Sequence, residues 1–256
     1  MAYINVNGVH TYYEEHGSGD PLLLLHGGLA DADSFGQQTP ALADRYRVII
    51  PERRGHGRTA DVDGPITYDL MSDDTIAFMD ALGTGPAHLV GWSDGGDVGL
   101  LVAIRRPDLV RRLVTMGSNF SAEGLTAEAV AAFTPHTPTS VIPVMRDMWR
   151  ATAADPERFE VVLEKMERCW NEDYAIPPAD LARIAAPTLV MVGDDDIATF
   201  EHTIDLYASI PGAQLAVIPG ASHLAPIEKP ELVNRLILDF LAAEGPPTTL
   251  MPLRRK

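Results

Sequence analysis

The chain opens with two short stretches in which apolar and polar positions alternate, Tyr3-Ile4-Asn5-Val6 and Val9-His10-Thr11-Tyr12-Tyr13, separated by Asn7-Gly8. A period of two suits half-buried strands, and Asn-Gly accepts the positive φ angles of a two-residue turn, so the pattern predicts a hairpin. At 21–25 the alternation gives way to an unbroken apolar run, the pattern of a parallel strand covered on both faces. Arg47-Val48-Ile49-Ile50, Ala87-His88-Leu89-Val90, Val110–Met116, 187–192 and 214–218 read in the same way. Between these runs apolar residues recur at helical spacing, over 35–45, Tyr68–Leu82, 96–106, 198–210 and 230–243. Strands and helices in alternation predict an α/β fold, a mostly parallel sheet with helices on both faces.

The rhythm breaks at about residue 119 and resumes at about 185. The intervening segment is rich in Ala, Met and Glu and carries Pro135, Pro138, Pro143, Pro177 and Pro178. It predicts a small helical cap, 119–184, inserted into a core made of 1–118 and 185–256 and placed to cover the strand ends. The Pro/Thr-rich tail at 245–256 reads as a frayed end.

Composition narrows the function. The net charge of −16 over 256 residues disfavours nucleic acid or an anionic membrane as partner, since phosphate would repel such a surface. No run reaches the ~18 apolar residues that suggest a membrane span, and the first residues lack a secretory pattern. A cytoplasmic monomer or homodimer acting on a small molecule is the expectation. The single cysteine, Cys169, forms no internal disulfide and sits beside Trp170 as a packing residue. No phosphate loop, haem motif, dinucleotide fingerprint or metal-ligand spacing occurs, so no cofactor and no metal are implied.

Candidate chemistry centres on Gly91-Trp92-Ser93-Asp94-Gly95. A strand precedes this G-x-S-x-G and a helix follows, the context that lifts a serine hydroxyl clear of a sheet on a sharp turn. Close packing of strand and helix leaves room only for glycine on either side. A serine needs a base, and the base needs a group to hold its ring. Among eight histidines, His223 lies in Gly220-Ala221-Ser222-His223-Leu224, directly after the last strand and on the sheet edge where ligands bind. Asp196, with Asp195 in reserve, follows another strand end in Gly193-Asp194-Asp195-Asp196. The order Ser93, Asp196, His223 is the order such sheet enzymes show. The N–H groups of Asp94 and of Gly28, with Leu29 second, would receive an oxyanion, and His26 would shape the turn.

Taken together, His26-Gly27-Gly28, Arg54-Gly55-His56-Gly57-Arg58, Gly91 through Gly96, Gly193 through Asp196 and Pro219 through His223 resemble the α/β-hydrolase superfamily over 3–241. The Gly-Trp-Ser-Asp-Gly-Gly form is similar to the biphenyl-hydrolase-like branch with its valacyclovir-hydrolase-type esterases. Glu52-Arg53 departs from it, where many relatives carry aspartate. The resemblance implies an eight-stranded sheet, a helical cap, and ester hydrolysis through an acyl-enzyme on Ser93, His223 and Asp196. Candidate substrate contacts are Leu29, Asp94, Met145, Trp149, Trp170 and Leu224. The Asp94 carboxylate favours α-amino or other cationic acyl groups, unless it turns to an arginine such as Arg54 or Arg58. Other readings of the same parts are a lactonase, a carbon–carbon bond hydrolase of ring-fission products, a cofactor-free perhydrolase with haloperoxidase signal, and a non-catalytic receptor.

Overall fold

The structure, a computed structural model, describes residues 1–134, 140–171, 174–245 and 249–250. Pro135 and Pro138 and most of the 245–256 tail lie outside the described residues.

Eight strands form one sheet in the order β1-β2-β4-β3-β5-β6-β7-β8. They are β1 (Ala2–Val6), β2 (Val9–His16), β3 (Asp20–Leu25), β4 (Tyr46–Pro51), β5 (Ala87–Trp92), β6 (Val110–Met116), β7 (Thr188–Asp195) and β8 (Gln214–Ser222). β1 and β2 are the hairpin, with Asn7 at φ 48° and Gly8 at φ 77°, and every pairing beyond β4 is parallel. The helices in chain order are α1 (Thr39–Ala43), α2 (Tyr68–Leu82), α3 (Asp94–Arg105), α4 (Ala127–Phe133), α5 (Ile142–Thr152) and α6 (Phe159–Asn171). They continue with α7 (Pro178–Leu181), α8 (Phe200–Ser209), α9 (Ala225–Glu228) and α10 (Pro230–Ala242).

The apolar runs are buried on two faces because successive side chains of a strand point to opposite sides. Leu22 and Leu24 of β3 join Val48, Ile50, Val114, Ile237 and Phe240 in one cluster, while Leu23 and Leu25 join Ile49, Leu89, Val98, Leu113 and Met79 in the other. The sheet is thus sandwiched between layers of helices.

Two expected elements differ. The helix anticipated over 35–45 is a 3-10 turn, Ala32–Phe35, followed by the short α1. Asp31 caps the turn by accepting from the Asp33 N–H, and Pro40, lacking an N–H, restarts the chain as a separate helix. β8 runs on to Ser222, where a loop was expected after 218. β8 is an edge strand, so Pro219 costs no ladder bond on its open side. A register shift between Gly193 and Asp195 keeps Asp195 opposite Ser222.

Helices α4, α5 and α6 lie between β6 and β7 in the chain and close over the carboxyl ends of the strands. The Trp149 indole donates to the Gly55 carbonyl (3.2 Å), and Ala154 N–H donates to Gly57 O (2.8 Å). Lys165 and Arg158 both grip Asp61, and Trp170 reaches Asp94.

Candidate active site

Ser93 follows β5 at φ 55° and ψ −129°, a conformation that costs a non-glycine residue about 1–3 kcal/mol. Surrounding bonds hold it there: its N–H donates to Met116 O (2.8 Å), and its carbonyl accepts from Gly96 N–H (2.7 Å) and Ser118 Oγ (3.1 Å). The flanking glycines are there because of contact. A Cβ on Gly91 would collide with the Gly95 backbone, and one on Gly95 would collide with the carbonyls of Leu25 and His26. α3 begins at Asp94, directly after the serine, so its N-terminus faces the same edge. Its first N–H groups have no partner within the helix.

His223 stands one residue past β8, and Asp196 one residue past β7. The His223 imidazole meets Asp196 at 2.8 Å, from Nδ1 to Oδ1. Asp196 also accepts from the N–H groups of Gly193 (3.2 Å) and Ala198 (3.4 Å). Burial pushes this carboxyl upward, but the bond and charge of His223 and the two N–H groups outweigh burial and hold it below its ordinary value. Asp195, the reserve choice, is exposed, and Asp194 accepts from Ala221 N–H (3.1 Å). The Trp92 indole donates to the His223 carbonyl (2.9 Å), tying the histidine to the strand that carries Ser93. The Ser93 hydroxyl makes no hydrogen bond among the described residues, and such links often close only when substrate is present.

The loop after β3 lies against the serine, since a Cβ on Gly27 would sit 3.2 Å from Ser93 Cβ and 3.8 Å from its Oγ. His26 is fully buried, and its Nε2 accepts from the Arg53 N–H (3.1 Å). Its Nδ1 therefore carries the hydrogen and donates to Gly27 O (2.8 Å). Burial, then the charges of Arg53 and His56, keep this imidazole neutral, its pKa well below the ordinary value. His26 shapes the turn, as its place in the sequence suggested. Among the described residues neither the Gly28 N–H nor the Asp94 N–H donates to another group.

A family model described as "Alpha/beta hydrolase family" matches residues 22–236, most of the chain. The chain belongs to the alpha/beta hydrolase family. This alpha/beta hydrolase is 31% identical, over 94% of its length and 90% of the relative's, to a 2-hydroxy-6-oxo-6-(2'-aminophenyl)hexa-2,4-dienoic acid hydrolase of Metapseudomonas resinovorans. It is 27% identical to a putative carbamate hydrolase of Azorhizobium caulinodans, covering 94% of the chain and 98% of that protein. Among solved structures, it superposes with a TM-score of 0.78 on a meta-cleavage product hydrolase of Pseudomonas fluorescens. That match has 28% identity and covers 94% of this chain and 97% of the other.

Around the hydrolase's elbow the expected substrate contacts take different places. Asp94 is buried, and its two oxygens accept from Tyr68 Oη and Trp170 Nε1, each at 3.0 Å. The expected alternative of an arginine partner from the 54–58 loop is not met: Arg54 pairs with Asp74, and Arg58 with Glu52 and Asp33. Trp170 packs against Phe133 and against Gly28, where a Cβ would lie 2.7 Å from its Cζ2. Trp149 stacks edge-on with Phe159 and is bound to the Gly55 carbonyl. Leu29 is buried at φ 54°, Met145 packs against the core, and Leu224 is exposed. Cys169 is buried, and burial, then Asp94 and Asp97, push its thiol up, which keeps it protonated. Sequence reasoning missed two features. One is the Tyr68–Asp94–Trp170 set, hidden because Tyr68 served only as a helix start; the other is the Arg53 side chain, noticed only as a departure.

Proposed function

We propose that this protein is a serine hydrolase that cleaves small carboxylic esters through an acyl-enzyme, with Ser93 as nucleophile, His223 as general base and acid, and Asp196 as the group that holds the imidazole. The observation that carries this reading is the Asp196–His223 hydrogen bond on one sheet edge with the strained Ser93 turn. His223 takes the Ser93 proton as Oγ bonds to the acyl carbon, and the carbonyl electron pair moves onto oxygen. The N–H groups of Gly28 and Asp94 receive that oxyanion. The C–O bond to the leaving group then breaks, and the imidazolium, stabilised by Asp196, returns the proton to it. Water deacylates the serine by the same steps. The Asp94 carboxylate, bonded only to neutral donors, favours an ammonium group on the acyl part, while the Arg53 charge nearby moderates that preference.

The relatives named for dienoic acid and meta-cleavage product hydrolysis favour a second reading, in which the same three residues hydrolyse a carbon–carbon bond. A fluorophosphonate probe is expected to label Ser93 and not the Ser93→Ala variant, with turnover of a short p-nitrophenyl ester lost in the same variant. Absence of labelling and turnover in the wild-type protein would remove the serine-hydrolase reading. A parallel assay on a ring-fission dienone separates the two bond types. An α-amino ester run against its desamino analogue reads the Asp94 preference, expected to be roughly twofold to fivefold, the size of a weak charge contact.

A further inference from the structure

The Arg53 side chain is buried, yet no carboxylate forms an ion pair with it among the described residues. Its Nη2 donates to the carbonyl of Gly27 at 3.0 Å. The same oxygen accepts from His26 Nδ1 at 2.8 Å and, more weakly, from the Ala30 N–H at 3.4 Å. The backbone N–H of Arg53 in turn fixes the His26 ring. Three donors from two loops therefore converge on one carbonyl. That carbonyl and the Gly28 N–H belong to a single planar peptide, and no peptide among the described residues is cis, so the two groups point in opposite directions. Whatever holds the Gly27 oxygen sets the direction of the Gly28 N–H.

We propose that Arg53 is a positioning residue for oxyanion binding: its guanidinium, held against the Gly27 carbonyl, aligns and polarises the Gly27–Gly28 peptide so that the Gly28 N–H donates to the charge developing on the substrate. This inference rests on the serine-hydrolase reading above. A charged donor makes a stronger hydrogen bond than a neutral one, and a carbonyl so engaged strengthens the N–H at the other end of its peptide. Packing does not explain the residue. Its Nε and Nη1 find no partner among the described residues, a cost that an apolar side chain of similar length would not carry. Asp94, then Tyr68, Cys169 and Asp97, act on its charge through space, so the guanidinium is within electrostatic reach of the residue after the nucleophile. The other wall of the Gly28 peptide is closed by Asp94 and Trp170, which leaves it little room to turn.

An alkyl trifluoromethyl ketone tests the role directly, because Ser93 Oγ adds to its carbonyl and gives a hemiketal whose oxygen ionises in the oxyanion position. Fluorine NMR follows that ionisation against pH. In Arg53→Met the hemiketal is expected to ionise about one pH unit higher than in the wild type. Its kcat on a p-nitrophenyl ester should fall by about tenfold or more, with KM changed less than about twofold, a partial loss of one oxyanion donor. Arg53→Lys, which keeps the charge but not the fork, should shift both quantities in the same direction by less, and it carries the test alone if the methionine variant does not fold. A hemiketal that ionises at the wild-type pH in folded variants would overturn the proposal and leave Arg53 a packing residue. If the wild-type protein forms no hemiketal and takes no fluorophosphonate, the underlying reading fails and this inference falls with it.

Discussion

The carboxylate–imidazole contact leaves no spare volume on its inner side. Gly117, at the end of β6 with φ 57°, is the residue that makes room for it. A Cβ there would lie 2.8 Å from His223 Nδ1 and 3.0 Å from Asp196 Oδ2. Gly117→Ala is therefore expected to push the imidazole off its carboxylate and to lower kcat by about a hundredfold or more, the usual consequence of a misplacement near 1 Å in a reacting group. Backbone strain accompanies this change, since alanine is disfavoured at positive φ. Gly85 provides the control: it has φ 64°, and a Cβ there meets nothing within 4 Å. Gly85→Ala should lose a similar amount of stability, about 1 kcal/mol, with kcat unchanged. Thermal melts and steady-state kinetics on the two variants check both halves. Equal activity in the pair would mean that Gly117 does not shape the site.

At the scale of elements, one buried carboxylate is the charged link among the contacts that hold helices α5 and α6 to the core. Asp61 follows the Arg54–Arg58 loop, and its side chain is 2% exposed. It accepts from Lys165 Nζ at 2.7 and 2.9 Å and from Arg158 Nη2, both of which belong to the α6 region. Asp61→Asn leaves two cations facing an amide. Amides of α5 and α6 should then lose roughly tenfold or more of their hydrogen-exchange protection, while β3 and β5 keep theirs, because one side of a buried pair has gone. Unchanged protection in α6 would show that the cap's apolar packing and its other hydrogen bonds seat it without Asp61. These elements also mark what the sequence could show. Runs such as Leu22 to Leu25 announced strands because burial on both faces leaves no alternation to confuse with a helix. The positions of Ser93, His223 and Asp196 on one sheet edge were legible because each sits directly after a strand. The 35–45 helix was misread because Pro40 interrupts it at a point where apolar spacing still looks helical. The partners of Asp94 were not legible at all: Tyr68 and Trp170 are far apart in the chain and meet it only because α2 packs on α3 and the end of α6 reaches the start of α3. Arg53 was visible as a residue but not as a contact, since its partner is a backbone carbonyl with no side-chain signature.

The whole molecule buries imidazoles that carry no charge, and this links its stability to pH. His56 is fully buried; its ring bonds to the Arg54 carbonyl through Nδ1 (2.8 Å), and its Nε2 has no partner among the described residues. Burial, then the Arg53 charge, pull its pKa down to about 3. In the unfolded chain a histidine titrates near its ordinary value of about 6.5. Between those values the unfolded state binds one more proton than the native state. Stability contributed by the neutral ring is thus present above about pH 6.5 and is lost as the pH falls, at about 1.4 kcal/mol per pH unit. His56→Gln removes this proton. The variant is expected to be less stable at pH 7 through loss of packing. Its urea midpoint should nevertheless fall less steeply than the wild type's between pH 6 and 4, with the two curves converging as the solution is acidified. His88, which burial lowers to about 4, titrates in the same window, but it is common to both proteins and drops out of the difference. Parallel curves over that range would show that residue 56 already exchanges protons with solvent in the folded protein. The loop that ties Arg53 to the serine edge would then be more open than its packing indicates.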